Sequence, residues 1–499
     1  SLEEALFECY KFYPKTEVDK YGIIVYSIDP TPLMTTFDNT SVLLDTNILI
    51  YRYFEEISQI PHGSYHEEKL ADYIEDLAEQ HHLRYMRDDM HNLIVFKEAS
   101  QGYEDHEPVM LQAHIDMVNE KNKESQHNFD TDPLKLYVED GFLHAKETTL
   151  GADDGCGVCY MLALLTDNSL SHPALECVFT VQEEVGLCGA MALDTTSLKA
   201  KRLINLDNEA EGETCVSSSG GNDVLITKEI TGEDNHSPVY VLEVKGLKGG
   251  HSGGCIHLGR GNANKIAGRI LYHLLKNGMD IRLIDITGGL KNNAIPRECT
   301  VAFASQQSYE ELAQYIGQYE TDIRKELEIS DPEFYVQLHC DECHVCVNAK
   351  DSEAMISIMY LGLNGMLEMS QAIEHLPTLS LNMGVIRTHD NSFTIDYSLR
   401  SPLKSLRDEL CLQLETIALL YGASIQVSND YPGWDYDPHS RFRAQFKEFY
   451  QTYANQTLKE VATHGGLETG IFKQKIPDLD IITYGPHMEN VHTPDEKLD

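Results

Sequence analysis

Val109-Met110-Leu111-Gln112-Ala113-His114-Ile115-Asp116 decides how this chain of 499 residues is read. A short apolar strand runs into a His-x-Asp pair, and residues i and i+2 of an extended chain point to the same side. Asp116 can therefore hydrogen-bond one imidazole nitrogen of His114 and leave the other to a metal ion. Two more apolar strands follow, Val178-Phe179-Thr180-Val181 and Leu203-Ile204-Asn205-Leu206, with a helix marked by Val158, Met161, Leu162 and Leu165 between the first two. Strands alternating with helices argue for an α/β domain with a mixed, mainly parallel sheet. Upstream, one helix ends before Ile60-Pro61-His62-Gly63-Ser64 and another starts near Tyr65, with Leu70, Ile74 and Leu77 at helical spacing.

Beyond about Val216 the pattern changes. Alternating strands such as Val239–Val244 and Phe393–Tyr397 are interleaved with amphipathic helices. One helix carries Ile266, Ile270, Leu271 and Leu274, and another runs from Pro402 in its first turn to Gly422 just past its end. The expected organisation is an N-terminal segment 1–46 of unclear role, a discontinuous α/β domain of 47–215 and 432–499, and an inserted α+β domain of 216–431. Within the first 46 residues the features are an apolar run at Ile23-Ile24-Val25, a breaker at Pro30-Thr31-Pro32 and a second run at Ser41-Val42-Leu43-Leu44.

Polar residues fall where strands end. Gly151-Ala152-Asp153-Asp154-Gly155-Cys156-Gly157 precedes a helix, Gln182-Glu183-Glu184-Val185-Gly186 closes one strand, and Asp207 closes the next. Open α/β sheets bind ligands outside the carboxyl ends of their strands, so His114, Asp153, Glu183, Glu184 and Asp207 should converge on one crevice. Carboxylates crowded there repel one another, and a bound dication offsets that repulsion. His492, in Glu489-Asn490-Val491-His492-Thr493-Pro494-Asp495-Glu496, completes the set after the apolar run Leu479–Ile482.

Composition narrows the function classes. Apolar residues at 42% and charged residues at 24% describe a soluble globular protein. With 80 acidic against 39 basic residues the net charge is −41, a field that repels phosphate backbones and excludes nucleic acid as a partner. No stretch approaches the roughly 18 uncharged apolar residues of a membrane span. The 12 cysteines form no short-spaced framework, which implies reduced thiols and a cytoplasmic location. Cys340, Cys343 and Cys346 form a C-x-x-C-x-x-C run without an evident fourth ligand, so packed or exposed thiols are expected there rather than zinc.

The order H-x-D, G-A-D-D-G, E-E-x-G, a strand-end Asp and a late H-T-P-D-E resembles the M20 family of di-zinc metallopeptidases. Ile60-Pro61-His62 with Ser64–Glu68, Gly246–Gly254, Gly259–Lys265 and Asn293–Arg297 look like the aminoacyl-histidine dipeptidases within it. The resemblance runs from about Asn47 to Asp499 and leaves residues 1–46 unmatched. It implies a di-zinc-peptidase-like catalytic domain and an inserted lid and dimerisation domain. It puts His114, Asp153 and Asp207 on one zinc and Asp153, Glu184 and His492 on the other, with manganese or cobalt able to substitute. Asp116 would orient His114, Glu183 would be the general base for a metal-activated water, and His251 would donate to the developing oxyanion. Asn293 and Arg400 would hold the C-terminal carboxylate of a dipeptide, Xaa-His dipeptides such as β-alanyl-histidine included.

The same pattern implies a homodimer built through the inserted domain. An N-acyl-amino-acid amidohydrolase and a catalytically silent binding protein are the alternative functions. Asp154 stands where relatives carry Asn, and the extra charge is expected to raise metal affinity slightly. Only seven residues follow His492, an arrangement expected to leave its loop weakly supported.

Overall fold

The structure, a computed structural model, describes residues 48–499 and, ahead of them, the backbone of the paired antiparallel strands Thr16–Val18 and Ile24–Tyr26. The Pro30-Thr31-Pro32 breaker and the Ser41–Leu44 run lie outside the described residues. Two compact units divide the chain: Ser1–Val216 with Tyr436–Val461 and Ile471–Asp499, and Ser217–Asp435 with Ala462–Gly470. The short segment Ala462–Gly470 thus returns to the second unit between two stretches of the first.

The first unit is built on a six-stranded sheet in the order Asp480–Thr483, Arg202–Asn205, Val109–His114, Leu175–Thr180, Leu93–Lys97, Arg84–Arg87. The first four strands are mutually parallel and Leu93–Lys97 runs antiparallel to both of its neighbours, the mixed and mainly parallel sheet that the alternation of elements implied. Every residue of Val109–His114 and Leu175–Thr180 is buried, as central parallel strands covered on both faces require. Helices Leu49–Ser58, Glu68–Gln80 and Ala152–Thr166 turn Phe54, Ile57, Leu70, Ile74, Met161 and Leu162 into one apolar cluster with Leu111, Phe179 and Ile204. The second of these helices starts at Glu68 rather than near Tyr65, because Tyr65 sits at φ 71°, which no right-handed helix accommodates.

The second unit contains a nine-stranded antiparallel sheet in which Val239–Lys245, Cys299–Ala304, Arg282–Gly288, Pro377–His389, Ser392–Ser401 and Gly220–Glu229 are successive neighbours. Tyr335–Asp341 and Ser424–Tyr431 are its edges. Ala263–Lys276, Tyr309–Glu326, Ala349–Leu361 and Lys404–Leu420 are its long helices, the α+β character expected from the sequence. Ser308 and Asn348 cap two of them by accepting from Glu311 N and Asp351 N. Lys265 donates to the carbonyls of Met359, Tyr360 and Gly362, placing a cation at the negative end of Ala349–Leu361. Pro402 precedes the helix Lys404–Leu420 instead of opening it, with Leu403 in between as an extended N-cap.

Among the described residues no helix is long and apolar enough to cross a membrane. Their cysteines are free, and Cys340, Cys343 and Cys346 do not gather as a metal-ligating group.

Candidate active site

Four chain segments of the first unit meet at the carboxyl ends of its parallel strands. His114 is the last residue of Val109–His114, and Glu183 and Glu184 follow Leu175–Thr180. Asp153 comes from the start of Ala152–Thr166, where Asp153 and Asp154 depart from helical geometry and their shared peptide is cis. Gly157 lets this helix lie close to the sheet, since a Cβ there would stand 3.0 Å from that of Ala113 and 2.7 Å from that of Leu206. His492 comes from the turn after Met488–Glu489.

Asp153 is the centre of the arrangement. Its Oδ1 faces His114 Nε2 at 3.0 Å and its Oδ2 faces His492 Nε2 at 3.1 Å, while His492 Nε2 also lies 2.7 Å from Glu184 Oε1. His114, Asp153 and Glu184 form the group whose ligand atoms fall within 4.8 Å of one another among the described residues. The sequence-expected His114, Asp153, Glu184 and His492 are therefore brought together. Asp207 follows Arg202–Asn205 at the same sheet end, and its charge acts on Asp154.

Asp116 is almost wholly buried and does two jobs. Its backbone carbonyl accepts from His114 Nδ1 at 2.9 Å, with its carboxylate 3.5 Å from the same nitrogen, which leaves Nε2 as the ring's ligand atom. Its carboxylate also accepts the backbone N–H groups of Glu183 (3.0 Å) and Glu184 (3.3 Å) and the Ser64 hydroxyl (2.8 Å), fixing the turn that presents both glutamates.

The electrostatics fit a cation. Burial opposes charging of His114, but Asp116 and Asp153 outweigh it and hold the imidazole well above its ordinary value. Hydrogen bonds to Asp153 and Glu184 lift His492 to about 11 against a smaller burial effect. Burial also works against ionised Asp153, and the two imidazoles overcome it and pull its carboxyl below the usual range. The carboxylates thus draw positive charge onto the site. A divalent ion supplies the same charge and takes the Nε2 lone pairs, and a carboxylate with a separate donor opposite each oxygen suits a pair of ions.

Two sequence expectations change here. Asp154 is fully buried, and burial followed by the charge of Asp207 pushes its carboxyl well above the usual range, which works against the extra negative charge expected at this position. The turn around His492 is also well supported. Lys497–Leu498 pairs with both Met488–Glu489 and Phe142–Ala145, Lys497 bridges Glu489 at 2.9 Å, and the buried Glu496 reaches back to the segment before Asp153.

In the second unit His251, Asn293 and Arg400 also come together. The pair Gly250–His251 lies antiparallel to Ala294–Ile295, and Ser252 N donates to Asn293 O at 2.8 Å. Arg400 donates to Ser252 Oγ (3.3 Å) and Tyr431 Oη (3.2 Å), is 8% exposed, and pairs with no carboxylate among the described residues. A buried guanidinium without a counter-ion is chemically suited to receive an anion. Gly254 N donates to His251 Nδ1 at 3.2 Å, which leaves the proton of the neutral ring on Nε2. Burial and the charge of Arg400 lower the His251 value, which favours the neutral ring.

Sequence reading missed Ser64, Glu496, Tyr431, Ser380 and His464. Ser380 stands directly across from Arg400 in the sheet, and its hydroxyl meets His464 Nε2 at 2.7 Å. The first two lie inside runs already singled out, Ser64–Glu68 and His492–Glu496. For His464 the signal available was the run Thr463-His464-Gly465-Gly466.

A sequence model of peptidase family M20/M25/M40 matches residues 110–499. The cytosol non-specific dipeptidase of Escherichia coli (strain K12) is 37% identical over 456 residues, 90% of this chain and 93% of that protein. The crystal structure of an aminoacylhistidine dipeptidase from Vibrio alginolyticus is similar at a TM-score of 0.84 and 37% identity, covering 90% of this chain and 93% of that one. Aminopeptidase PepT from Bacillus cereus ATCC 10987, at 16% identity and a TM-score of 0.51, shares the fold over 90% of this chain and 93% of its own.

Proposed function

The chain belongs to peptidase family M20/M25/M40, and from that premise we propose that it is a metal-dependent dipeptidase of broad preference that includes Xaa-His dipeptides. The observation that carries this reading is Asp153, with an imidazole facing each carboxylate oxygen and Glu184 beside one of them. His114, Asp153 and Asp207 would hold one divalent ion and Asp153, Glu184 and His492 the other, a donor set that suits zinc and admits manganese or cobalt. When bound, such ions acidify a water molecule and polarise the scissile carbonyl.

The chain's own residues do the rest. Glu183, half-buried and held through its N–H by Asp116, takes the proton of the attacking water and later gives it to the leaving amine. His251 donates from Nε2 to the oxygen on which charge develops. Arg400 and Asn293 hold the C-terminal carboxylate, Arg400 through a fork suited to two parallel bonds. A clamp on that carboxylate selects substrates by their free chain end.

We place the enzyme in the cytosol as a homodimer formed through the second unit. The edge strand Ser424–Tyr431 and the exposed Leu412, Leu419, Leu420 and Val427 support that surface. The test is hydrolysis of β-alanyl-histidine, α-dipeptides, a tripeptide and an N-acetyl amino acid by metal-stripped and zinc- or manganese-reloaded protein. Metal-dependent cleavage confined to unblocked dipeptides is expected. Cleavage of the acetylated substrate alone moves the protein to the amidohydrolases, and no turnover with any metal leaves a binding protein.

A further inference from the structure

Glu496 is 2% exposed, and the chemistry of peptide hydrolysis gives it no task. Its Oε2 accepts the backbone N–H groups of Leu150 (2.7 Å) and Gly151 (3.1 Å), and its Oε1 accepts that of Ala152 (2.9 Å). These are three consecutive amides, turned to one side by Gly151 at φ 70°, and the next residue is Asp153. A carboxylate accepting three N–H groups is a rigid joint, because charge-assisted bonds are roughly twice as strong as neutral ones.

The other side of the joint is equally tight. Glu496 N donates to Thr493 O at 3.1 Å, Thr493 Oγ1 donates to Asn490 O at 2.7 Å, and Asp495 N donates to Thr493 Oγ1 at 3.2 Å. This compact turn carries His492 in the left-handed region at φ 64°. The clamped segment ends one residue before Asp153, and the clamping turn holds His492, whose imidazole meets the Asp153 carboxylate at 3.1 Å. Residues more than 300 positions apart in the chain are thereby held at ligand distance from one another.

We infer that Glu496 is a positioning residue that sets metal affinity by fixing the Asp153 carboxylate against the His492 imidazole. The inference rests on the reading of Asp153 and His492 as metal ligands. Groups that orient ligands from behind typically account for about 10- to 100-fold in metal affinity.

The test compares metal-stripped parent, Glu496→Gln and Glu496→Ala protein. Zinc affinity is measured by titration against a competing chelator, melting temperature with and without zinc, and kcat and KM at saturating zinc. Glu496→Ala is expected to bind zinc about 10- to 100-fold more weakly and to show a smaller zinc-induced rise in melting temperature, with KM unchanged. Glu496→Gln keeps its volume and one acceptor oxygen, and should fall between the other two. A Glu496→Ala or Glu496→Gln protein with a lower melting temperature but the parent's zinc affinity overturns the positioning role and leaves the metal reading intact. A parent that binds neither zinc nor manganese overturns the metal reading and this inference with it.

Discussion

The polar cluster at the strand ends of the first unit and the one around Arg400 in the second are opposite in sign. The first gathers Asp153, Glu184 and Asp116 around two imidazoles, and its carboxylates pull both rings toward the charged form. The second buries a guanidinium that donates to the hydroxyls of Ser252 and Tyr431, and favours the neutral forms of His251 and His464 around it. On the proposed reading, cations complete one cluster and an anion the other. Burying charge is costly unless it is paired or hydrogen-bonded, so on that reading the sign of each cluster points to the sign of its ligand.

Removing the charge that defines the first cluster breaks the comparison most severely. Asp153→Asn is expected to lose bound metal and to lower kcat by about 10^3-fold or more, since Asp153 is the carboxylate both imidazoles share. Elemental analysis alongside kinetics checks this, and a variant with full metal content would show that the cluster does not depend on that charge. Glu183→Gln separates acid-base work from ligation within the same cluster. Its kcat should fall by about 10^2- to 10^4-fold while metal content stays at the parent's level. Loss of metal in that variant would make Glu183 a ligand instead.

The second cluster is tested through its guanidinium. Arg400→Met keeps the volume and removes the charge, and KM for dipeptides should rise by about 10- to 100-fold, the range of one hydrogen bond to a charged group. Dipeptide amides, which lack the carboxylate, should show no such rise. Equal rises for both substrates would separate Arg400 from carboxylate recognition.

The smallest effect concerns stability and pH. Burial, then the charges of Arg400 and His257, lower His464 from 6.5 to about 3, so the unfolded chain binds the proton first. Stability contributed by the neutral ring is complete above about pH 6.5 and is lost as pH falls toward 3, amounting to roughly 2 kcal/mol at pH 5. His464→Gln should therefore show a flatter decline of melting temperature between pH 6.5 and 4.5 than the parent. An identical decline would mean that His464 charges freely in the folded protein.

Legibility differed between the clusters for a physical reason. His114, Asp153, Glu184 and His492 each lie in a contiguous run beside a recognisable strand or helix, and metal chemistry restricts which residue types can stand there. His464 and Tyr431 are ordinary types whose importance comes from a neighbour. His464 matters because Ser380 is its partner and Ser380 lies across the sheet from Arg400, facts set by strand register. Element ends were also misread where backbone conformation decided them, as at Tyr65 and Pro402, while the buried periodicity of Leu70, Ile74 and Leu77 placed the helix itself correctly.

By itself the amino-acid sequence determined the alternation of strands and helices, the acidic character of the chain and the residues able to ligate metal, because hydrophobic period and donor chemistry are local properties. Only the tertiary structure decided that burial and Asp207 raise the Asp154 carboxyl, that Asp116 organises Glu183 and Glu184, and that Glu496 ties the His492 turn to the segment before Asp153. Those outcomes depend on burial and on hydrogen bonds between residues far apart in the chain, and both exist only once the chain has folded.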